Sequence, residues 1–230
     1  MKTLGIIGGI GPEATIDYYK SLITTHREQN PDADAPSIII NSINMKKAVD
    51  LITADRLTEL ANYFVDEIRR LANAGADIGL LAANTPHIVF DEIAGQSPLP
   101  LISIVEATRD EARSEGFSRV GLLGTRFTMK ARFYPEVFAR EQIQIVVPSD
   151  PDQEYVHEKY FHELVNGIFL DETRSQLVAI VRRMRERDDI EAVILGGTEL
   201  PLTLRGTEMG IPLLDTTQIH VRAALAKIKD

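Results

Sequence analysis

Short apolar runs alternate along the chain with longer segments in which apolar residues recur every three or four positions. The short runs are typical of strands buried on both faces, and the longer segments are typical of amphipathic helices. The predicted strands cover residues 3–8, 37–42, 78–82, 100–104, 119–123, 144–147, 192–195 and 211–215. The predicted helices cover residues 14–27, 61–74, 105–114, 129–139, 154–166, 177–187 and 220–229. This alternation indicates an α/β fold with parallel sheets.

Two of these patterns recur later in the chain at nearly the same interval. An apolar strand that ends in small and polar residues occupies positions 79–87, and a similar segment occupies positions 193–201. The first strand with its closing glycine, at positions 4–8, has a counterpart at positions 120–124. Because the two pairs of segments are separated by nearly the same number of residues, we expect an α/β unit to be duplicated within the chain.

The length of 230 residues is compatible with one large domain or with two smaller ones, and the repeat favours two. We expect two similar three-layer αβα domains with parallel sheets, related by pseudo-twofold symmetry. The site is then expected in the cleft between them. Residues 1–104 with 216–230 are predicted to form the first domain, and residues 105–215 the second.

Composition and charge narrow the classes of function. With 44% hydrophobic and 26% charged residues, the chain has the composition of an ordinary globular protein. The net charge of −9 argues against a nucleic-acid partner, because such a partner requires a clustered basic face. Neither an apolar run of membrane-spanning length nor a signal-peptide pattern is present, so we expect a cytoplasmic protein that does not bind membranes.

The sequence contains no cysteine. Disulfides, thiolate metal sites and cysteine nucleophiles are therefore excluded. His157 and His162 are five positions apart on a predicted helix, a spacing that does not place them together as metal ligands. No metal site is expected.

A glycine-rich turn follows the first predicted strand. Gly9 and Gly11 allow the backbone to approach a ligand closely, and the amides at the start of the next helix suit an anion. The alternative is a tight strand-to-helix turn without a ligand. The turn lacks the complete dinucleotide fingerprint, which argues against a nicotinamide cofactor.

Further polar residues follow the ends of the other repeated strands. Hydroxyls, one carboxamide and helix-start amides together form a candidate cradle for a carboxylate. The members are Asn84, Thr85, Thr125, Thr128 and Thr198. Each threonine is equally compatible with a helix N-cap, and Thr85, followed by a proline, is expected to cap a helix. Lys47 is a candidate cation for a second carboxylate, with Lys46 and Arg126 as alternatives, although such side chains commonly face solvent.

Several of these segments resemble the cofactor-independent aspartate/glutamate racemases, and the resemblance covers the whole chain. Residues 5–15 resemble the family's opening turn, and residues 123–129 its substrate loop. Residues 84–87 and the pair Thr198-Glu199 match parts of its two catalytic segments, and residues 215–220 resemble its C-terminal signature. The resemblance implies a small amino acid or dicarboxylate as ligand, no cofactor and a homodimer.

In the family, one cysteine removes the α-proton and a second cysteine reprotonates the opposite face. The positions that match these cysteines are Ala83 and Gly197, whose side chains cannot carry a proton. Racemisation is therefore expected to be very weak or absent, because inversion without a cofactor needs two acid–base groups. His87 and Glu199 are candidate substitutes. Each is also compatible with a structural role at a helix start.

Three interpretations of function remain open from the sequence. The protein is a racemase-like enzyme with residual or altered isomerase or lyase chemistry, which includes deliberate replacement of both thiols. Alternatively, it is an inactive carboxylate-binding or regulatory homologue. The third interpretation is a homologue that binds no ligand.

Overall fold

The computed structural model describes residues 1–205 and 210–229. The chain divides into two compact units, of which the first comprises Met1–Ile104 and the chain from His220 onward. The second unit comprises Val105–Ile219. The domain boundaries expected from the sequence, 1–104 with 216–230 and 105–215, stay a prediction.

The first unit contains a four-stranded parallel sheet in the order β2-β1-β3-β4. Its elements are β1 (Leu4–Gly8), α1 (Pro12–Gln29), β2 (Ile38–Ser42), α2 (Met45–Thr53), α3 (Leu57–Asn73), β3 (Ile78–Leu81), a 3-10 helix (Thr85–Val89), α4 (Phe90–Gln96) and β4 (Leu101–Ile102). The sequence analysis did not identify α2. Its N-cap is Asn44, whose side chain accepts a hydrogen bond from the Lys47 amide.

The second unit repeats this topology with a parallel sheet in the order β6-β5-β7-β8. Its elements are α5 (Ile104–Ser114), β5 (Arg119–Gly124), α6 (Arg126–Lys130), α7 (Phe133–Ala139), β6 (Gln144–Val146), α8 (Asp150–His162), a 3-10 helix (Leu164–Asn166), α9 (Asp171–Asp188), β7 (Ala192–Gly196), α10 (Leu200–Leu204) and β8 (Leu213–Asp215). The last helix, α11 (Thr216–Lys229), begins in this unit and belongs to the first unit from His220 onward. The identical strand order confirms the α/β class and the predicted pair of parallel sheets.

Adjacent residues of β1 show how the first sheet is covered. Ile7 belongs to a core formed largely with α3, whereas Ile6 belongs to a core formed with α1 and α11. Both side chains are fully buried. Because neighbouring residues of a strand point to opposite faces, helices must pack on both sides of the sheet. The first unit therefore has three layers.

The helix predicted at 129–139, which Pro135 was expected to keep short or bent, is divided before that proline. The chain forms two short helices there, Arg126–Lys130 and Phe133–Ala139. Pro135 lies in the first turn of the second helix, where a residue without an amide hydrogen loses no helical bond. Within residues 1–205 and 210–229, no helix combines the length and apolar character that a membrane span requires.

We predict that Gly9→Ala destabilises the protein by roughly 1–3 kcal/mol, because Gly9 has a φ of 77°. An added Cβ would also lie 2.6 Å from the Ile43 carbonyl oxygen. Gly95→Ala is the matched control, since its added Cβ meets no atom within 4 Å and alanine favours the helix. Urea denaturation of both variants measures the difference, and equal stabilities would contradict the prediction.

Candidate functional site

The glycine turn after β1 is organised by one hydroxyl. Thr15 Oγ1 accepts a hydrogen bond from the Gly9 amide at 2.9 Å and donates one to the Gly11 carbonyl at 3.0 Å. Gly11 is the N-cap residue of α1, and Pro12 follows at its first position. Both glycines are predicted from the sequence to contact a ligand, and Thr15 is not. In this structure the Gly9 amide is engaged within the turn.

The segment after β3 contains Ala83, the first position that the sequence resemblance predicts to correspond to a family cysteine. Ala83 and Asn84 are both buried. The predicted N-cap role of Thr85 was wrong, because Thr85 is the first residue of the 3-10 helix and Asn84 precedes it. The Asn84 carbonyl accepts a hydrogen bond from the His87 amide at 3.0 Å. Pro86 is the second residue of this 3-10 helix, which is tighter than an α-helix and typically short.

His87 is buried and packed in the first unit. Its ring stacks on Phe90 with centroids 4.6 Å apart, and its Nε2 accepts a hydrogen bond from the Ile104 amide at 3.3 Å. Burial, followed by the proximity of His220, lowers the pKa of His87 to about 3. The imidazole is therefore neutral at pH 7, and its Nε2 lone pair is directed to a backbone amide. This geometry favours the structural interpretation of His87.

His220 links three elements of the first unit. Its Nε2 donates a hydrogen bond to the Ile102 carbonyl at 2.9 Å. Because that nitrogen carries the proton, the neutral ring accepts at Nδ1 from the Tyr18 hydroxyl, also at 2.9 Å. Burial lowers the pKa of His220 to about 4. The ring thus joins α11 to β4 and α1 in its neutral form.

The three candidate cations have partners on the surface of their own units. The Lys47 ammonium lies 4.0 Å from the centroid of the Tyr63 ring, beside a surface cavity of about 600 Å³ between α2 and α3. Lys46 forms an ion pair with Asp50 at 2.6 Å. Arg126 contacts both carboxylate oxygens of Glu154 at 3.0 Å.

Thr125 and Thr128 form a buried pair after β5. Thr125 is the N-cap of α6, and its Oγ1 accepts a hydrogen bond from the Thr128 amide at 3.2 Å. The two hydroxyl oxygens lie 3.1 Å apart. Thr125 therefore has the role of helix N-cap, which the sequence had offered as an alternative to a ligand contact.

The segment after β7 is packed against a tyrosine that the sequence analysis did not identify. A Cβ added at Gly197 would lie 2.3 Å from Cε2 of Tyr160 and 3.1 Å from its hydroxyl oxygen. Real Cβ atoms do not approach a ring carbon so closely, so the Tyr160 ring fills the space that a side chain at position 197 requires.

Tyr160 also forms a buried polar cluster with the residues that follow Gly197. Its hydroxyl donates a short hydrogen bond to Oε2 of Glu199, and Thr198 Oγ1 donates to the same oxygen at 3.2 Å. Tyr160 retains 7% exposure and Glu199 retains 1%. Burial, together with the Glu199 carboxylate, raises the pKa of Tyr160 well above its ordinary value. The pair is separated by 39 positions, so no local sequence signal could have identified it.

No group of three or more histidine, aspartate or glutamate side chains in the described part of the chain is arranged to hold a metal ion. Polar groups at the carboxyl ends of parallel strands are nevertheless typical of a ligand site in an open α/β sheet.

Comparison with known proteins identifies the family. The sequence matches the Asp/Glu/Hydantoin racemase family over residues 7–224. The chain belongs to this family. The broad specificity amino-acid racemase RacX of Bacillus subtilis (strain 168) is 25% identical over 240 residues, covering 97% of this chain and 95% of the relative.

Solved structures agree with this assignment. The aspartate racemase homologue from Pyrococcus horikoshii OT3 is 34% identical, with a TM-score of 0.86 and complete coverage of both chains. The aspartate racemase of Picrophilus torridus has a TM-score of 0.83 at 24% identity, covering 100% of this chain and 95% of the other. At that identity the second similarity supports the fold alone.

We predict that Gly197→Ala destabilises the protein by roughly 1–3 kcal/mol, because the methyl group overlaps the Tyr160 ring. In a Tyr160→Ala background the same substitution is expected to cost much less, since the ring has been removed. Urea denaturation of the wild type, both single variants and the double variant measures the coupling. Equal costs in the two backgrounds would refute the steric interpretation.

The pKa of His220 predicts a dependence of stability on pH. Its folded pKa of about 4 lies below the ordinary value of 6.5, so the unfolded chain binds a proton first as pH falls. The contribution of the neutral His220 ring to the free energy of unfolding is complete above pH 6.5 and is lost progressively as the pH falls towards 4. We expect His220→Gln to reduce the loss of unfolding free energy between pH 7 and pH 4.5 by on the order of 2 kcal/mol. Parallel pH profiles of the two proteins in chemical denaturation would contradict this.

Proposed function

We propose that the protein binds a small amino acid or a dicarboxylate and performs little or no two-base racemisation. The substrate class is supported by the family and by relatives whose names specify aspartate, glutamate or amino acids in general. Buried polar residues at the carboxyl ends of β3, β5 and β7 support a carboxylate ligand.

The packing of Tyr160 against Gly197 is the observation that carries this proposal. Position 197 matches the second cysteine of the family, and here the neighbouring ring leaves no room for a side chain. Ala83, which matches the first cysteine, is a buried methyl group. Removal of one acid–base group typically costs ~10²–10⁴-fold in rate, and both groups are missing here.

An altered isomerase or lyase that uses Glu199 is the second candidate. Glu199 follows Gly197 by two positions and its carboxylate is hydrogen-bonded to a tyrosine hydroxyl. The corresponding proposal for His87 has weaker support, because a histidine with a pKa of about 3 is a poor base at pH 7.

The proposal also covers the localisation, the oligomeric state and the cofactor requirement of the protein. We propose a cytoplasmic homodimer that needs no cofactor, as the resemblance to the family implies. A net charge of −9 supports small-molecule ligands in preference to nucleic acid. Light scattering of the purified protein measures the oligomeric state, and a monomer would remove the dimer from the proposal.

Calorimetric titration with the L- and D-forms of aspartate and glutamate, and with simple dicarboxylates, tests the function. We expect at least one of these ligands to bind, while chiral chromatography shows no conversion between enantiomers at ordinary enzymic rates of about 1–10³ per second. Racemisation at such rates would show that positions 83 and 197 are not the catalytic ones. Failure of every ligand to bind would refute the proposed substrate class.

A further inference from the structure

We propose that Tyr160 and Glu199 together supply an acid–base group at the second catalytic position, and that this group exchanges the α-proton of one enantiomer without racemising it. The inference rests on the proposed function, because it takes the same amino-acid ligand. It assigns a chemical role to Tyr160, which the sequence comparison with the family does not indicate.

The location of the hydroxyl is the first argument. The phenol oxygen of Tyr160 lies 3.1 Å from the position that a Cβ at Gly197 would occupy. A thiol at position 197 would extend one bond beyond that Cβ. Helix α8 therefore brings a group with an exchangeable proton to the neighbourhood that a cysteine side chain would reach from β7.

The distribution of burial and hydrogen bonds is the second argument. Tyr160 retains 7% exposure whereas Glu199 retains 1%, so the tyrosine is the less buried member of the pair. Glu199 Oε2 receives both the Tyr160 and the Thr198 hydroxyl hydrogens. A buried pair of ionisable side chains that are hydrogen-bonded to each other near the end of a strand is typical of functional sites.

The proposed step conserves protons and electrons. Because its pKa is raised, the Tyr160 hydroxyl keeps its proton at neutral pH. In the proposed step the Glu199 carboxylate acts as the base. As the Cα–H bond of the ligand breaks, its proton bonds to the Tyr160 oxygen and the phenol proton moves to Glu199 Oε2. The electron pair of the broken bond remains on the α-carbon and delocalises into the ligand carboxyl group. The reverse step restores the Cα–H bond on the same face.

We expect one-sided exchange because the Tyr160–Glu199 pair is a single acid–base group. Inversion needs a second acid–base group that delivers a proton to the other face of the carbon. Ala83 has no proton to deliver, and Nε2 of His87 accepts a hydrogen bond from the Ile104 amide. In deuterated water, we therefore expect deuterium at the α-carbon with retention of configuration.

The test follows α-deuteration of L- and D-aspartate and L- and D-glutamate by NMR, with binding measured by calorimetry in the same samples. Tyr160→Phe keeps the ring against Gly197 and removes the hydroxyl, whereas Glu199→Gln keeps a hydrogen-bond acceptor and removes the base. Tyr155→Phe, on the same helix and outside the cluster, is the matched control. Circular dichroism of each variant verifies its fold.

We expect the wild type and Tyr155→Phe to deuterate one enantiomer of a ligand that binds. Tyr160→Phe and Glu199→Gln should lower that rate by at least about 100-fold while the Kd changes less than about threefold. Binding without exchange in the wild type would overturn this inference and leave the proposed function intact. Exchange at the wild-type rate in either variant, or equal exchange of both enantiomers, would also overturn it. If no ligand binds, the proposed function and this inference fail together.

Discussion

Burial of both faces of each parallel sheet is the constraint on which the rest of the structure depends. Ile6 and Ile7 point into different cores, and each is fully buried. A strand with two buried faces has no side available for chemistry, so its polar residues are confined to its ends. In this chain the carboxyl ends of β3 and β7 deliver Asn84 and Thr198 in this way.

The Tyr160–Gly197 contact shows that the packing at position 197 depends on a residue of α8. A large ring now packs where a side chain at 197 would lie, and the ring's hydroxyl binds the adjacent Glu199. While Tyr160 is present, a side chain at position 197 would overpack the core and reduce the stability of the fold. The space beside position 197 is therefore set by the core of the second unit and involves more than one residue.

The two buried histidines of the first unit have a different role. His220 and His87 each bind a backbone group near β4, and burial keeps both rings neutral. A protonated ring could not accept the hydrogen bonds that His220 Nδ1 and His87 Nε2 receive. The hydrogen bonds of the two neutral rings therefore stabilise the structure near β4, and protonation of the rings at low pH weakens them.

The sequence by itself determined the repeated strand–helix order, the parallel sheets and the absence of both thiols. Periodicity and local motifs carry that information, because strands and helices are specified by neighbouring residues. Only the tertiary structure decided that Thr15 engages the Gly9 amide and that Tyr160 occupies the space beside Gly197. It also decided that His87 is neutral. Burial and contacts between residues distant in sequence set these properties, and no local pattern encodes them.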